Sequence, residues 1–202
     1  MTRTSQQITI VTVVWFVTGC ILWSGPVAPA HEGSEFSAEV LRVAGDVSVN
    51  DWQFIVLHHS GTVSGSVESI HNDHRERKDR YGNAWLGIGY HFVIGNGSGM
   101  PDGEIVPTFR WKQQIHGAHS GSSVHNSKGI GVCLIGNFQD KAPTQKQLKA
   151  VIALISELSQ QHQISRSLII GHNSVKPTAC PGKNFPLHEV VRDSFSDRTP
   201  AF

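Results

Sequence analysis

His172 and Cys180 are the first pair of residues whose types and spacing could do chemistry. His172 follows the apolar run Leu168-Ile169-Ile170, and Cys180 lies eight positions on, within Pro177-Thr178-Ala179-Cys180-Pro181-Gly182. The apolar run predicts a short buried strand, which places His172 at a strand end. The loop beyond it is held by Pro177, Pro181 and Gly182. Such a loop can fold back and bring thiolate and imidazole to one ion, and that donor pair suits zinc. The same residues fit a strand, a turn and a buried thiol with no metal, so a third ligand from elsewhere in the chain is needed.

A second strand delivers histidine in the same way. Phe54-Ile55-Val56-Leu57 is continuously apolar and ends in His58-His59-Ser60. In open α/β sheets sites tend to form at the carboxyl edge of the strands. A third run, Tyr90-His91-Phe92-Val93-Ile94, adds a tyrosine at a strand end. Two histidines and one cysteine leave zinc one open position, the catalytic rather than the structural arrangement. There it can acidify a bound water and polarise a carbonyl. Two alternatives stand beside this set. A Cys133–Cys180 disulfide would remove the thiolate. His71 and His74, three apart on a helix, could hold a metal together or simply pack.

The elements that must position these residues are legible from periodicity. Residues 66–80 predict a surface helix with Val67, Ile70 and His74 as its inner stripe. Gly95 to Gly99 forms a turn, and Glu104 to Phe109 the next strand of a hairpin. Residues 111–129 hold His116, His119 and His125 among glycines and serines without periodicity, a long loop of the kind that is often functional. Ile130 to Gly136 predicts a central strand with Cys133 as a buried thiol. Thr144 and Gln147 fit a capping box for a helix running to about Gln161, with Leu148, Val151, Ile152, Ile155 and Leu158 as its stripe. A last short helix opens at Pro186 and runs to about Phe195. Interleaved in this way, about five strands and about three helices predict an α/β fold with a central mixed sheet and the zinc site at the strand ends.

The chain has 202 residues and a formal net charge of +1, which fits one domain and gives no basic block for nucleic acid. Residues 8–23 are uncharged and follow Arg3, and Ala28-Pro29-Ala30 fits a cleavage pattern. Residues 1–30 are therefore expected to be a secretory leader or signal anchor, residues 31–51 an approach segment, and residues 52–202 the domain proper. Val17-Thr18-Gly19-Cys20 also resembles a lipoprotein box, although the apolar Ile21-Leu22-Trp23 behind it argues against lipidation of Cys20. On any of these fates the domain faces out of the cytoplasm, with the membrane touched only through the N-terminal segment. Arg3 is the leader's only charge, so the exported part is formally neutral (+1 minus 1).

Four motifs now stand in order: Leu57-His58-His59-Ser60-Gly61-Thr62, Gly89-Tyr90-His91-Phe92-Val93-Ile94, Ile130-Gly131-Val132-Cys133-Leu134-Ile135-Gly136, and Gly171-His172 through Thr178-Ala179-Cys180-Pro181-Gly182. Together they resemble the zinc-dependent N-acetylmuramoyl-L-alanine amidases of type 2, a superfamily that includes phage lysozymes with amidase activity and the animal peptidoglycan recognition proteins. The resemblance covers about residues 52–195. It implies one zinc ion held by His58, His172 and Cys180, with Tyr90 and Thr178 stabilising the transition state. It implies His59, His119 and Asn126 near the substrate, and peptidoglycan or muropeptides as the partner of a monomer. The chain departs from one branch of the family by carrying Cys133 where that branch has a general acid–base glutamate, which leaves proton handling to Tyr90, Thr178 and the zinc water. Its Asn126-Ser127-Lys128-Gly129 stretch is also longer than usual. A non-catalytic recognition module would share the fold, but relatives of that kind typically lose a zinc ligand, often the cysteine, and all three ligands are present. A cysteine hydrolase using Cys180 with His58 or His172 is the other alternative; nothing marks Cys180 as lying at a helix start.

Overall fold

The computed structural model describes residues 39–79 and 81–196. The leader, the Ala28-Pro29-Ala30 pattern, Cys20 and residues 31–38 of the approach segment lie outside the described residues. Among those described, no helix is long and apolar enough to cross a membrane.

Five strands form one sheet: β1 (Phe54–His59), β2 (Phe92–Ile94), β3 (Ile105–Pro107), β4 (Gly129–Leu134) and β5 (Ile169–Gly171). Their order is β3-β2-β4-β1-β5. Only the β2–β3 pair is antiparallel; β4 runs parallel to β1 and β2, and β1 runs parallel to β5. The sheet is mixed, as the interleaved pattern requires.

β4 lies between β2 and β1 and is buried over all six residues. Strand side chains alternate between faces, and the two faces of this sheet do different work. Ile55 and Leu57 of β1 join Ile130, Val132 and Leu134 of β4 in the main apolar core, with Phe92, Ile94 and Trp111. The intervening residues, Val56, His58, Gly131 and Cys133, line the opposite face, which carries the polar chemistry.

The main core is closed by α4 (Gln145–Gln161), whose Val151, Leu154, Ile155 and Leu158 are buried. The predicted capping box is present, with Thr144 Oγ1 accepting from Gln147 N at 3.0 Å and Gln147 Oε1 accepting from Thr144 N at 3.2 Å. The amide of Gln147 also donates to the carbonyls of Ile94 (3.3 Å) and Ile135 (2.9 Å), which ties the helix start to the sheet. α5 (Leu187–Asp193) adds Val190 to the same core. The described part of the approach segment packs here too: Val40 is buried, and Trp111 Nε1 donates to Leu41 O at 3.2 Å.

Three local expectations need correction. α1 (Val67–Arg75) ends five residues short of the predicted 80. Beyond it Asp79 Oδ1 accepts from the amides of Tyr81 (2.8 Å) and Asn83 (2.9 Å), so a side chain takes over the backbone and makes a turn. The predicted strand to Phe109 stops at Pro107, because Thr108 caps a short helix, α2 (Phe109–Lys112). The predicted loop 111–129 contains α3 (Ser123–Lys128), capped by Ser122. Both extra helices are shorter than two turns, too short for a 3.6-residue pattern to show.

His91 bolts this framework together. It is fully buried, its Nδ1 accepts from Gly131 N at 2.9 Å, and its Nε2 lies 3.1 Å from Ile115 O. Burial holds His91 well below the ordinary histidine value of 6.5, and pushes His119 down to about 3. The unfolded chain takes up these protons near pH 6.5 and the fold does not. Stability is therefore intact above about pH 6.5 and is lost as the pH falls from there toward the folded values, by about 1.4 kcal/mol per pH unit for each such histidine. For chelator-treated protein, the urea midpoint is expected to be clearly lower at about pH 5.5 than at about pH 7.5. Equal midpoints would mean that these rings are charged inside the fold.

Candidate metal centre

Strand register brings the first two candidate ligands together. Leu57 of β1 lies opposite Gly171 of β5 in parallel pairing, so the next residues, His58 and His172, leave neighbouring strands side by side. Their ring centroids are 4.5 Å apart. Past β5 the chain makes one 3-10 turn, His172–Ser174, and returns through the proline-pinned loop. Asn173 N donates to Cys180 O at 2.9 Å and Gln139 Nε2 to Ala179 O at 2.9 Å, which closes the loop. Cys180 Sγ then lies 3.7 Å from His58 Nδ1.

One donor atom from each of His58, His172 and Cys180 lies within 4.8 Å of the other two. A tetrahedral zinc with nitrogen at about 2.0 Å and sulfur at about 2.3 Å would hold such a nitrogen and sulfur roughly 3.5 Å apart. The observed 3.7 Å fits that spacing, so these three residues could hold the ion. His59 N donates to Cys180 Sγ at 3.3 Å, a contact that favours the thiolate. Cys133 and Cys180 are both free thiols.

The cluster is kept neutral by burial. His58 is held well below the ordinary histidine value, first by desolvation and then by the neighbouring histidines. His172 is lowered by desolvation, opposed by its hydrogen bond to the Ser120 carbonyl. Burial pushes the Cys180 thiol up to about 11. The phenol of Tyr90, its ring 5.1 Å from that of His58, is raised well above 10 by burial and by the neighbouring thiols. At neutral pH Tyr90 is therefore a hydrogen-bond donor. Thr178 is exposed, and its Oγ1 accepts from Cys180 N at 3.3 Å.

The three residues expected near substrate are engaged with the protein. His59 Nδ1 accepts from Phe138 N at 3.1 Å, and its strand position points it to the face opposite His58. Asn126 Oδ1 accepts from the amides of His119 and Ser120, both at 2.9 Å, and so shapes the loop. The His119 ring is buried, with Nδ1 2.9 Å from His58 Nε2 and Nε2 3.2 Å from Gly129 O. His71 and His74 do not act as a metal pair: His74 Nδ1 accepts from Gly89 N at 3.0 Å and its ring backs Tyr90 at 5.5 Å. Its place in the inner stripe of the helix had signalled that packing role.

Sequence reasoning missed Arg110. It is buried, its Nε donates to Ile88 O at 2.5 Å and one of its terminal nitrogens to His116 O at 2.5 Å. The guanidinium thus ties the loop carrying Tyr90 to the loop carrying His119. An arginine inside an apolar strand-to-helix turn gave no signal of that role. Beside Tyr90 a cleft of about 80 Å³ is lined by Ser60, Thr62, Asp73, His74 and Arg77 among others.

The sequence pattern of the N-acetylmuramoyl-L-alanine amidase family matches residues 48–183. The chain belongs to that family. It is 33% identical over 149 residues to a peptidoglycan-recognition protein of Drosophila simulans, an alignment spanning 69% of this chain and 73% of the relative. It is 30% identical over 135 residues to the endolysin of Klebsiella phage KP32, spanning 63% of this chain and 78% of the endolysin. Among solved structures it is similar to the N-acetylmuramoyl-L-alanine amidase LysC of Clostridium intestinale, with a TM-score of 0.59 at 28% identity, covering 73% of this chain and 93% of that one. It is also similar to a mutant of Drosophila PGRP-LB in complex with tracheal cytotoxin, with a TM-score of 0.54 at 26% identity, covering 74% of this chain and 87% of that one. Amidases and recognition proteins thus share the fold described above.

A pH dependence follows from the candidate ligand set. The Cys180 thiol, near 11, keeps its proton in the metal-free protein and must release it to bind a cation. Both histidines are already neutral at pH 7. Metal affinity, measured by competition with a chromophoric chelator, is therefore expected to rise about tenfold per pH unit between roughly pH 7 and 9. A pH-independent affinity would remove Cys180 from the ligand set.

Proposed function

We propose that the chain is a zinc-dependent N-acetylmuramoyl-L-alanine amidase acting on peptidoglycan or muropeptides. The observation that carries this reading is the complete donor set of His58, His172 and Cys180 with Tyr90 beside it. When bound, zinc would polarise the substrate carbonyl and lower the pKa of a water molecule. The protein's own groups do the rest. His58, His172 and Cys180 would hold the ion on the sheet face, fixed by strand register and the closed loop. Tyr90, protonated at neutral pH, donates to the oxygen that gains charge as the muramoyl–alanine amide becomes tetrahedral. Thr178, exposed next to Cys180, presents its hydroxyl to the same oxygen.

Cys133 is no substitute for the glutamate that one branch of the family carries. Its thiol is pushed well above the ordinary cysteine value by burial, so it neither accepts nor holds negative charge at neutral pH. The cysteine-hydrolase reading is disfavoured for a related reason. A nucleophilic cysteine needs a depressed pKa, and that of Cys180 is raised to about 11. The recognition reading is disfavoured by the intact ligand set.

The wider setting is part of the proposal. Residues 1–30 export the protein or tether it on the outer side of a membrane, and residues 52–202 act as a monomeric domain on cell-wall material. Alanine at His58, His172 or Cys180 is expected to abolish release of the stem peptide from a muropeptide, read by chromatography. Tyr90→Phe is expected to lower kcat about 10²-fold with little change in KM. Cleavage that survives all three alanine variants would end the zinc-dependent reading, and tight muropeptide binding by wild type without any cleavage would place the chain among the recognition proteins.

A further inference from the structure

We propose that His119 is a positioning residue of the metal centre, setting the tautomer of His58 through a hydrogen-bond chain that starts at the Gly129 carbonyl. This rests on the metal-centre reading above and replaces the expectation that His119 lines the substrate groove.

The chain has one direction. A backbone carbonyl only accepts, so His119 Nε2, 3.2 Å from Gly129 O, carries the hydrogen. The hydrogen-bond partners of the His119 ring are His58 and the Gly129 carbonyl, neither of them a carboxylate, and a buried imidazole in such company stays neutral. A neutral imidazole has one N–H, so His119 Nδ1 is a bare acceptor. His58 Nε2, 2.9 Å away, must then be the donor. That leaves the lone pair of His58 on Nδ1, the atom that lies 3.7 Å from Cys180 Sγ. The opposite tautomer would put a hydrogen where the ion has to bind.

The pocket for this ring is built by glycines. A Cβ at Gly131 would lie 2.6 Å from the His119 ring, and one at Gly117 would also collide with it. Both positions must lack a side chain for the ring to reach His58. The main chain at 119 is held as well, by Asn126 Oδ1 accepting from His119 N at 2.9 Å. The next residue serves the other ligand: Ser120 O lies 3.1 Å from His172 Nε2, so that nitrogen donates and His172 Nδ1 is left bare. Two consecutive residues therefore orient both histidines of the centre, one by side chain and one by backbone. Groups that orient metal ligands in this way are worth about 10–100-fold in metal affinity.

The test uses the full-length chain and two readouts. In metal-free wild type, two-bond ¹H–¹⁵N correlations of the imidazoles are expected to show His58 and His119 both protonated on Nε2. A hydrogen on His58 Nδ1 would overturn the proposal, and this readout needs neither zinc nor a variant. Zinc affinity, by chelator competition, is expected to drop about 10–100-fold in His119→Phe and to recover most of that loss in His119→Asn, whose Oδ1 stands where Nδ1 stood. Gly131→Ala, which displaces the ring while keeping its nitrogens, is expected to weaken zinc binding in the same range. Zinc affinity in His119→Phe within about twofold of wild type, well short of that range, with KM for a muropeptide raised, would return His119 to the groove and overturn the proposal. Wild type that binds no zinc would sink the metal-centre reading itself, and the tautomer measurement separates that failure from failure of the hydrogen-bond chain.

Discussion

The parallel pairing of β1 with β5 is the constraint on which the site depends. With Leu57 opposite Gly171, His58 and His172 emerge together, and the loop after β5 needs only to turn back to add Cys180. A slip of one residue would exchange His58 for His59 on the site face, because strand side chains alternate. His59 is already committed to Phe138 on the other face, so the register is specified from both sides of the sheet. The apolar face enforces it further: Ile55 and Leu57 belong to the main core, and a slip would turn them onto the polar site face.

The second constraint is charge. His58, His91 and His119 are all buried, and their ring nitrogens meet backbone groups, another ring or a thiol rather than a carboxylate. Each ring is therefore neutral and is oriented by those partners. Buried imidazoles of fixed orientation offer lone pairs, and a cation with one anionic sulfur ligand supplies the charge that such an environment lacks. Arg110 is consistent with this arrangement. Its guanidinium is spent on the carbonyls of Ile88 and His116, so it binds two loops together rather than facing the metal centre.

Much of this was legible in the residues. Strand-terminal His58 and His172, the loop-borne Cys180, the mixed sheet and the capping box at Thr144 all follow from hydrophobic runs and turn residues, which are local signals. What escaped was non-local or too short. α2 and α3 are shorter than two turns, so a one-residue cap at Thr108 or Ser122 was their only signature. The end of α1 depended on Asp79 reaching the amides of Tyr81 and Asn83, a competition that periodicity does not register. The role of His119 depended on Gly131, further along the chain, lacking a side chain. Ile130-Gly131 was visible as a strand start, but the meaning of Gly131 lay in the ring that packs against it.

On the proposed function, His58, His172 and Cys180 hold one zinc ion that the activity requires. The most direct measurement is zinc content by elemental analysis alongside muropeptide cleavage, on protein as purified, after chelation and after zinc is restored. About one zinc per chain is expected, with cleavage lost on chelation and regained with zinc. Full cleavage by metal-free protein would contradict that requirement.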